Sequence, residues 1–563
     1  MLNRYREDTN FRHIFWLTVI YVLAHWFILV STGKWYDDWI YADHNAEWVM
    51  EVFRRSSLPL AGIVNIIIWY IPYKLFVFVM FYAGGIFLYK ILKDIDLFSE
   101  EDSFWVSALF LIIPINDARI TYICFNYSLG LFCYLLSFYL ITKWIKQNGK
   151  KRILIRIVSL LILILAFNAE SVMLMVALML LYLYYEELKV NWKWREIKTN
   201  IKKLVKAVIH YIDYMILPIA NYVGMKILFP GYGDLYDKHS YIPWNNLGDI
   251  IKRSPKHAWI TFQSIFGNWN ENVGDIRSKF VIYTIVLGFI IISLMCNKRR
   301  KVTQYAINSI GKDLLMVGLG CIAFYLGIFP YIVKRDSDID VIYTDGRDSL
   351  LLGIGTSIII YYLLRIFVRR ELYKTVLVFL IMSGILYFNN VYLAWENSYY
   401  QQLQVRDEIA TNQHILNNDS FIVIYTGAAV YSSFFQTNGN SWAATGEQTR
   451  FYMCDLNDLG KFLDFDEDSE WLKGFMMRDF DYTDKTIDGV LYVNYPYTNR
   501  GLILKQKWNE FFHKDVFDQW IKDVKEMDYY PITPEQSDAI IEAYQNGILK
   551  VNHLIEYIQP EGE

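Results

Sequence analysis

Apolar runs close to bilayer length recur through the first two-thirds of this chain, and they constrain it more than any other feature. A hydrocarbon core about 30 Å thick needs roughly 20 apolar residues of helix to cross it. Runs at 13–31, 74–92, 122–144, 205–228, 279–296, 313–333, 349–368 and 374–393 approach that length, and 104–115, 153–168 and 170–186 are shorter. Together they predict an α-helical polytopic membrane protein with about 11 transmembrane helices. Composition agrees, since 54% of the 563 residues are hydrophobic and only 20% are charged. On length alone, 153–168 and 170–186 fit one long helix, but Phe167-Asn168-Ala169-Glu170 is the expected turn between them. Leu58–Ile71, ended by Pro72, is expected to lie in the interface or dip into it.

Basic residues alternate along these runs. Arg4, Arg6 and Arg12 precede the first; Lys143, Lys146, Lys150, Lys151 and Arg152 follow the fourth. Lys189, Lys193, Arg195, Lys198, Lys202 and Lys203 follow the sixth, Lys298–Lys301 the eighth, and Arg369, Arg370 and Lys374 the tenth. Positive charge collects on the cytoplasmic side of membrane proteins. The N-terminus is therefore expected inside and the C-terminus outside. Residues 1–393 form the transmembrane domain, with outer loops 32–73 and 229–278, and Asp43–Arg55 reads as an amphipathic interfacial helix. The first apolar run is too long for a signal peptide and lacks a small-residue cleavage site, so it is expected to be retained.

Residues 394–563 differ in composition. They carry charged helical stretches at 399–416, 505–527 and 534–557 and β-like runs at 421–425 and 489–494. This length suits one small α/β extracytoplasmic domain. The net charge of −3 gives no reason to expect a nucleic-acid partner. The five cysteines, Cys124, Cys133, Cys296, Cys321 and Cys454, form no metal-ligand spacing and no disulfide framework.

Phosphate-loop, zinc-protease and serine-hydrolase motifs are absent. The polar residues that stand out all fall on the outer side of the expected topology. Asp37 and Asp38 follow the first span within Gly33-Lys34-Trp35-Tyr36-Asp37-Asp38-Trp39. Paired carboxylates at a bilayer boundary are costly unless chemistry uses them, although an interfacial aromatic loop is an equally good reading. Asp117 and Arg119 follow Pro114, and Glu170 is the lone carboxylate of 153–185. His239 and Gly267-Asn268-Trp269-Asn270-Glu271 lie in the second long loop. Asp336, Asp338 and Asp340 offer oxygen ligands for a divalent cation such as Mg²⁺, Mn²⁺ or Ca²⁺, but a solvated acidic loop accounts for them better. Arg347, at the expected start of a helix, suits a phosphate, which its planar fork and the helix dipole both favour. The pairs Asp94/Asp96, expected on the cytoplasmic side away from the other polar groups, and Asp479/Asp481 in the C-terminal domain repeat the acidic pattern with less context. Outside the cell no nucleotide-activated donor is available, so an activated substrate there would arrive attached to lipid.

This pattern resembles the GT-C superfamily of polytopic membrane glycosyltransferases. The likeness rests on Asp37-Asp38 opening the first outer loop, on the interfacial helices after it, and on Phe329-Pro330-Tyr331-Ile332-Val333 leading to Asp345-Gly346-Arg347-Asp348-Ser349 before a late span. It covers about residues 1–393. The resemblance implies an inverting transferase that takes a sugar from a polyprenyl-phosphate carrier at the outer bilayer surface. It implies a general base at Asp37 or Asp38, with Asp37 nearer the first span, and a surface glycan or teichoic acid as acceptor. Arg347 would hold the donor phosphate, with Arg119, Glu170, Asp117 and His239 as secondary polar groups. Two other classes stay open at this point: a lipid-linked-glycan flippase or transporter, and a scaffold that binds cell-wall polymers.

Overall fold

A computed structural model describes residues 7–35, 38–39, 45–69, 72–189, 197–231, 245–272, 304–335, 337–339, 341, 344–368, 372–427, 438, 441, 444–445, 451–453, 456–464, 485–495, 500–523, 527–550 and 554. The chain divides into two compact units, one of Met1–Val30, Ser57–Pro230 and Tyr241–Val391, the other of Ser31–Ser56, Gly231–Ser240 and Tyr392–Glu563. The expected first outer loop is thus shared, its first part grouping with the C-terminal residues.

The first unit is helical. In chain order its helices are α1 Thr9–His25, α2 Pro59–Trp69, α3 Tyr73–Asp94, α4 Glu100–Ile112, α5 Phe125–Ile145, α6 Gly149–Ala166 and α7 Val172–Lys189. Then follow α8 Ile197–His210, α9 Ile212–Leu228, α10 Leu247–Asn272, α11 Gln304–Arg335 and α12 Leu352–Phe367, and α13 Tyr373–Thr411 runs on into the second unit. Among the described residues, four helices are long and apolar enough to cross a membrane: α3, α5, the part of α11 from Ile310, and α13. Large side chains such as Leu23, Val79, Leu161, Ile219, Ile322 and Met382 stay exposed on the helices. Apolar surface on that scale belongs against lipid rather than water.

The expected turn separates α6 from α7 at 167–171. Other expected segments take another form. The run 205–228 is broken at Tyr211: the basic, amphipathic α8 ends there and α9 begins. The second long loop contains α10, a helix of 26 residues that includes the Gly-Asn-Trp-Asn-Glu string. Its buried Ile250, Ala258, Ile265 and Trp269 recur at helical spacing, a signal masked by the Gly and Asn content. The expected span 279–296 lies outside the described residues.

Small residues let helices meet closely in lipid, where backbone approach replaces the hydrophobic drive. A Cβ added to Gly355 of α12 would lie 2.3 Å from the backbone nitrogen of Phe324 and 2.7 Å from the Gly320 carbonyl, both on α11. Backbone cannot swing aside as a side chain can. Gly355→Ala should therefore destabilise the protein by about 1–3 kcal/mol, read as a lower melting temperature in detergent. An unchanged melting temperature would mean that α11 and α12 are not packed this tightly.

At one end of the bundle, charges tie helix ends together. Asp94 pairs with Lys143 and Lys146, each at 2.7 Å, and Lys189 pairs with Asp96 at 2.7 Å. Arg365 bridges Asp102 at 2.7 Å and Asp313 at 3.1 Å. Asp94 and Asp96 thus serve as staples for basic helix ends.

In the second unit the end of α13 packs Val405 and Ile409 against a four-stranded sheet of β1 Ser420–Gly427, β2 Phe451–Met453, β3 Gly489–Tyr495 and β4 Met527–Pro531. The order is β2-β1-β3-β4; β1 runs parallel to β2 and β3, and β4 antiparallel to β3. Pro531 is tolerated because β4 is an edge strand. The Asp488 carboxylate accepts from the backbone N–H groups of Asp419 and Ser420, both at 2.9 Å, and so holds the start of β1. Helices α14 Leu456–Asp464, α15 Arg500–Phe512, α16 Lys514–Asp523 and α17 Pro534–Gln545 complete the α/β layer. The stretch read as one helix at 505–527 breaks at His513 between α15 and α16.

Candidate functional site

Four of the polar residues singled out in the sequence, Asp117, Glu170, Arg347 and Arg119, fall at the end of the first unit opposite the ion-pair staples. The two ends of α5 mark the distance: Asn126 lies in its first turn and Lys143 in its last. The segment between α4 and α5 forms a 3-10 turn, Asp117–Ile120, entered through Asn116 in the left-handed region (φ 52°). That bend brings the Asn116 N–H to the Ser349 hydroxyl at 2.9 Å, and Ser349 in turn donates to the Gly346 carbonyl at 2.6 Å. A Cβ at Gly346 would fall 2.8 Å from the Asp117 carboxylate and 3.0 Å from the Val341 carbonyl. Asp117 and the loop that carries Arg347 are therefore in contact.

Arg347 itself sits in a second 3-10 turn, Thr344–Ser349, and α12 begins only at Leu352. The expected position at a helix N-terminus is not what the chain adopts, so the helix dipole drops out of the argument for phosphate. Charged neighbours take its place. Asp348 lies 4.0 Å from Arg347 Nε and forms a close pair with Arg335, in the last turn of α11, at 2.5 Å. Lys334, beside Arg335, is within electrostatic reach of Glu170, Asp348, Arg347 and Arg335.

The circuit closes through the turn at 167–171. Tyr331, one turn before Lys334 on α11, donates to the Ser171 hydroxyl at 2.7 Å. Glu170 pairs with Lys226 of α9 at 3.6 Å. On α5, Gly130 fits against Ala169, where a Cβ would approach to 2.8 Å. Asn126 is one helical turn from Gly130 on that same face, nearer the 3-10 turns. Two 3-10 turns, the first turn of α5, the last turn of α11 and the 167–171 turn thus enclose one polar region. It combines cations (Arg347, Arg335, Lys334, Lys226), carboxylates (Asp117, Asp348, Glu170) and amides.

Arg119 does something else. Its guanidinium donates to the carbonyls of Ile115 and Asn116, each at 2.6 Å, and stacks 3.9 Å over the Phe81 ring. Buried beneath the 3-10 turn, it shapes the site from below by holding that turn. Its aromatic partners Phe81 and Phe388 are far away in sequence, so no local pattern announces this role.

An apolar cavity of about 640 Å³ lies toward the stapled end of the bundle, lined by residues such as Leu92, Phe138, Leu178, Leu315 and Ile358. It is suited to hydrocarbon rather than to polar chemistry.

In the second unit, Asp38 is buried, and its carboxylate accepts from the backbone N–H of Trp35 at 3.3 Å while its own N–H donates to the Trp35 carbonyl at 3.0 Å. The turn is anchored by the Trp35 indole, which donates to the Trp395 carbonyl at 2.7 Å, and by Trp39 stacked on Tyr399. Next to it lies a buried ion cluster. Lys507 bonds to Glu396 at 2.5 Å, Glu510 at 2.8 Å and Thr32 at 2.6 Å, and Ser31 donates to Glu396 at 2.7 Å. Burial, then the Glu396 and Glu510 carboxylates, raise the Tyr400 phenol well above its ordinary pKa, so it stays protonated and donates to Glu510. Ser31, Thr32, Trp35 and Asp38 are therefore each tied by hydrogen bonds. Asp37 lies outside the described residues, as do His239, Asp336, Asp340, Asp479 and Asp481.

Asp338 is described, and it sits 3.8 Å from His257 of α10. Among the described residues no group of three or more His, Cys, Asp or Glu side chains is arranged to hold a metal ion.

Sequence reasoning missed Asn126 and Lys226 and read Asn168 only as part of a turn. A polar residue inside an otherwise apolar run was the available signal. No protein-family model matches this chain, and no curated protein matches it.

Proposed function

We propose that this protein is a membrane glycosyltransferase of GT-C type, moving a sugar from a polyprenyl-phosphate carrier to a surface glycan or teichoic acid on the outer face of a bacterial plasma membrane. The observation that carries this reading is the convergence of Arg347, Arg335, Lys334, Asp117 and Glu170 at the bundle end away from the basic staples. A cluster of cations beside apolar helices suits a lipid-linked phosphate. The remaining expected spans, about 11 in all, belong to this reading.

The chemistry assigns each group a role. Asp37 takes the proton of the acceptor hydroxyl, whose oxygen attacks the anomeric carbon of the donor sugar. The bond from that carbon to the phosphate oxygen breaks as the new one forms, and the configuration inverts. Polyprenyl phosphate departs with its negative charge held by Arg347 and Lys334, placed where that charge develops. Asp38 holds the Trp35 backbone through its carboxylate and its own N–H. A divalent cation, if held by Asp336, Asp338 and Asp340, would further neutralise the phosphate.

Topology tests the reading. In a background with the native cysteines replaced, Gln413→Cys should react in intact cells with a maleimide that cannot cross the membrane. Lys150→Cys should react only after permeabilisation. The alternation of basic loops predicts this result. Labelling of Lys150→Cys but not Gln413→Cys in intact cells would refute an outer-face mechanism.

A further inference from the structure

Among the described residues, three buried side-chain amides in the polar region of the first unit carry unpaired atoms: Asn116 beside the 3-10 turn, Asn126 and Asn168. Asn126 is 4% exposed and Asn168 is 6% exposed. Neither the amide nitrogen nor the oxygen of Asn126 makes a hydrogen bond, and the same holds for the amide nitrogen of Asn168. Leaving such a group unsatisfied costs its full desolvation penalty. A bundle that needed only packing would place Leu at either position. Asn126 and Asn168 are on facing elements, since the α5 face bearing Asn126 and Gly130 meets Ala166 and Ala169, which flank Asn168. Glu170 follows Asn168 by two residues and has Lys334 within its electrostatic reach. Asn168, but not Asn126, also lines a pocket of about 10 Å³ with Glu170, Asn221 and Tyr222, so a sugar would enter only as these elements part.

We infer that Asn126 and Asn168 form a subsite for the sugar of the lipid-linked donor, reading its hydroxyls through neutral amides while the cations hold the phosphate. This rests on the glycosyltransferase reading and adds to it. Cations attract phosphate whatever sugar it carries. Discrimination between sugars needs groups that both donate and accept, and a carboxamide does both. An amide kept dry and without a protein partner rejects a ligand that leaves it unpaired, which is how hydroxyl-reading sites gain selectivity.

The test compares wild type with Asn126→Leu, Asn168→Leu and the double variant, all full-length in detergent. The probes are a short-chain synthetic polyprenyl phosphate and the same lipid carrying a hexose, with thermal stabilisation as the readout. Both lipids should stabilise the wild type, the hexose-bearing one at a concentration lower by roughly three- to tenfold for each amide. The Leu variants, free of an orphaned amide, should melt at or above the wild-type temperature. They should respond to bare polyprenyl phosphate as wild type does and lose the added response to the hexose. Should Leu disturb the fold, Asn126→Ser and Asn168→Ser shorten the group and give the same comparison. If the variants keep the full hexose response, or if the hexose adds nothing in wild type while the phosphate still binds, the subsite is wrong and the phosphate reading stands. Absence of any response to either lipid in folded wild type would overturn the subsite and the donor reading together.

Discussion

Asp37→Asn should lower sugar transfer by about 10²–10⁴, the usual effect of losing a general base, while Asp38→Asn should cost far less. The difference follows from what the Asp38 carboxylate does. It is 4% exposed and accepts from the Trp35 N–H, so an Asn oxygen can replace it. Asp37→Asn keeps shape and hydrogen bonding but removes the basicity on which proton removal from a hydroxyl depends. Initial rates of the two purified variants, with melting temperatures as a control for folding, decide the matter. Normal turnover in both single variants and in the double would reduce the acidic pair to an interfacial loop. A dead Asp38→Asn beside an active Asp37→Asn would exchange their roles.

Arg347→Ala should abolish most transfer, and Arg347→Lys should remain clearly impaired despite keeping its charge. A guanidinium presents two parallel donors to phosphate oxygens, whereas an ammonium is a point charge on a flexible stem. The loss should appear as a raised apparent requirement for the lipid donor, with the acceptor requirement little changed. The competing role is structural. Arg347 lies 4.0 Å from Asp348, which is already paired with Arg335 at 2.5 Å. If Arg347 merely neutralised that carboxylate, Lys would substitute freely and donor dependence would not move. Titrating a polyprenyl-phosphate sugar against the three proteins separates the two roles.

The parts of this fold that could be read from the sequence are those with local causes. Four apolar runs of bilayer length became α3, α5, the later part of α11 and α13, because length and hydropathy suffice. The turn at 167–171 was also legible, since Asn and Glu interrupt a run that has no other break. Elements that depend on distant partners were not. The strand β2 has three residues and exists because it pairs with β1. Helix α13 continues for 39 residues because Val405 and Ile409 have a sheet to pack on. At the site, the kinds of residue were legible but not their neighbours. Arg347 looked like a helix-start residue and belongs to a 3-10 turn locked by Ser349 and Asn116. Arg119 was expected as a secondary polar group of the site and instead lies buried over Phe81, holding the 3-10 turn.

The most direct measurement of the central claim is transfer by the purified protein in proteoliposomes. The donors are polyprenyl phosphates carrying a series of single sugars, and the acceptor is a surface-polymer extract from cells lacking the gene. The proposal predicts that at least one donor is consumed, with polyprenyl phosphate released and the sugar recovered on the acceptor in inverted configuration. It also predicts that Asp37→Asn protein leaves that donor intact. Donors that cross the bilayer unchanged, or a sugar that reaches the acceptor equally well with Asp37→Asn protein, would contradict it.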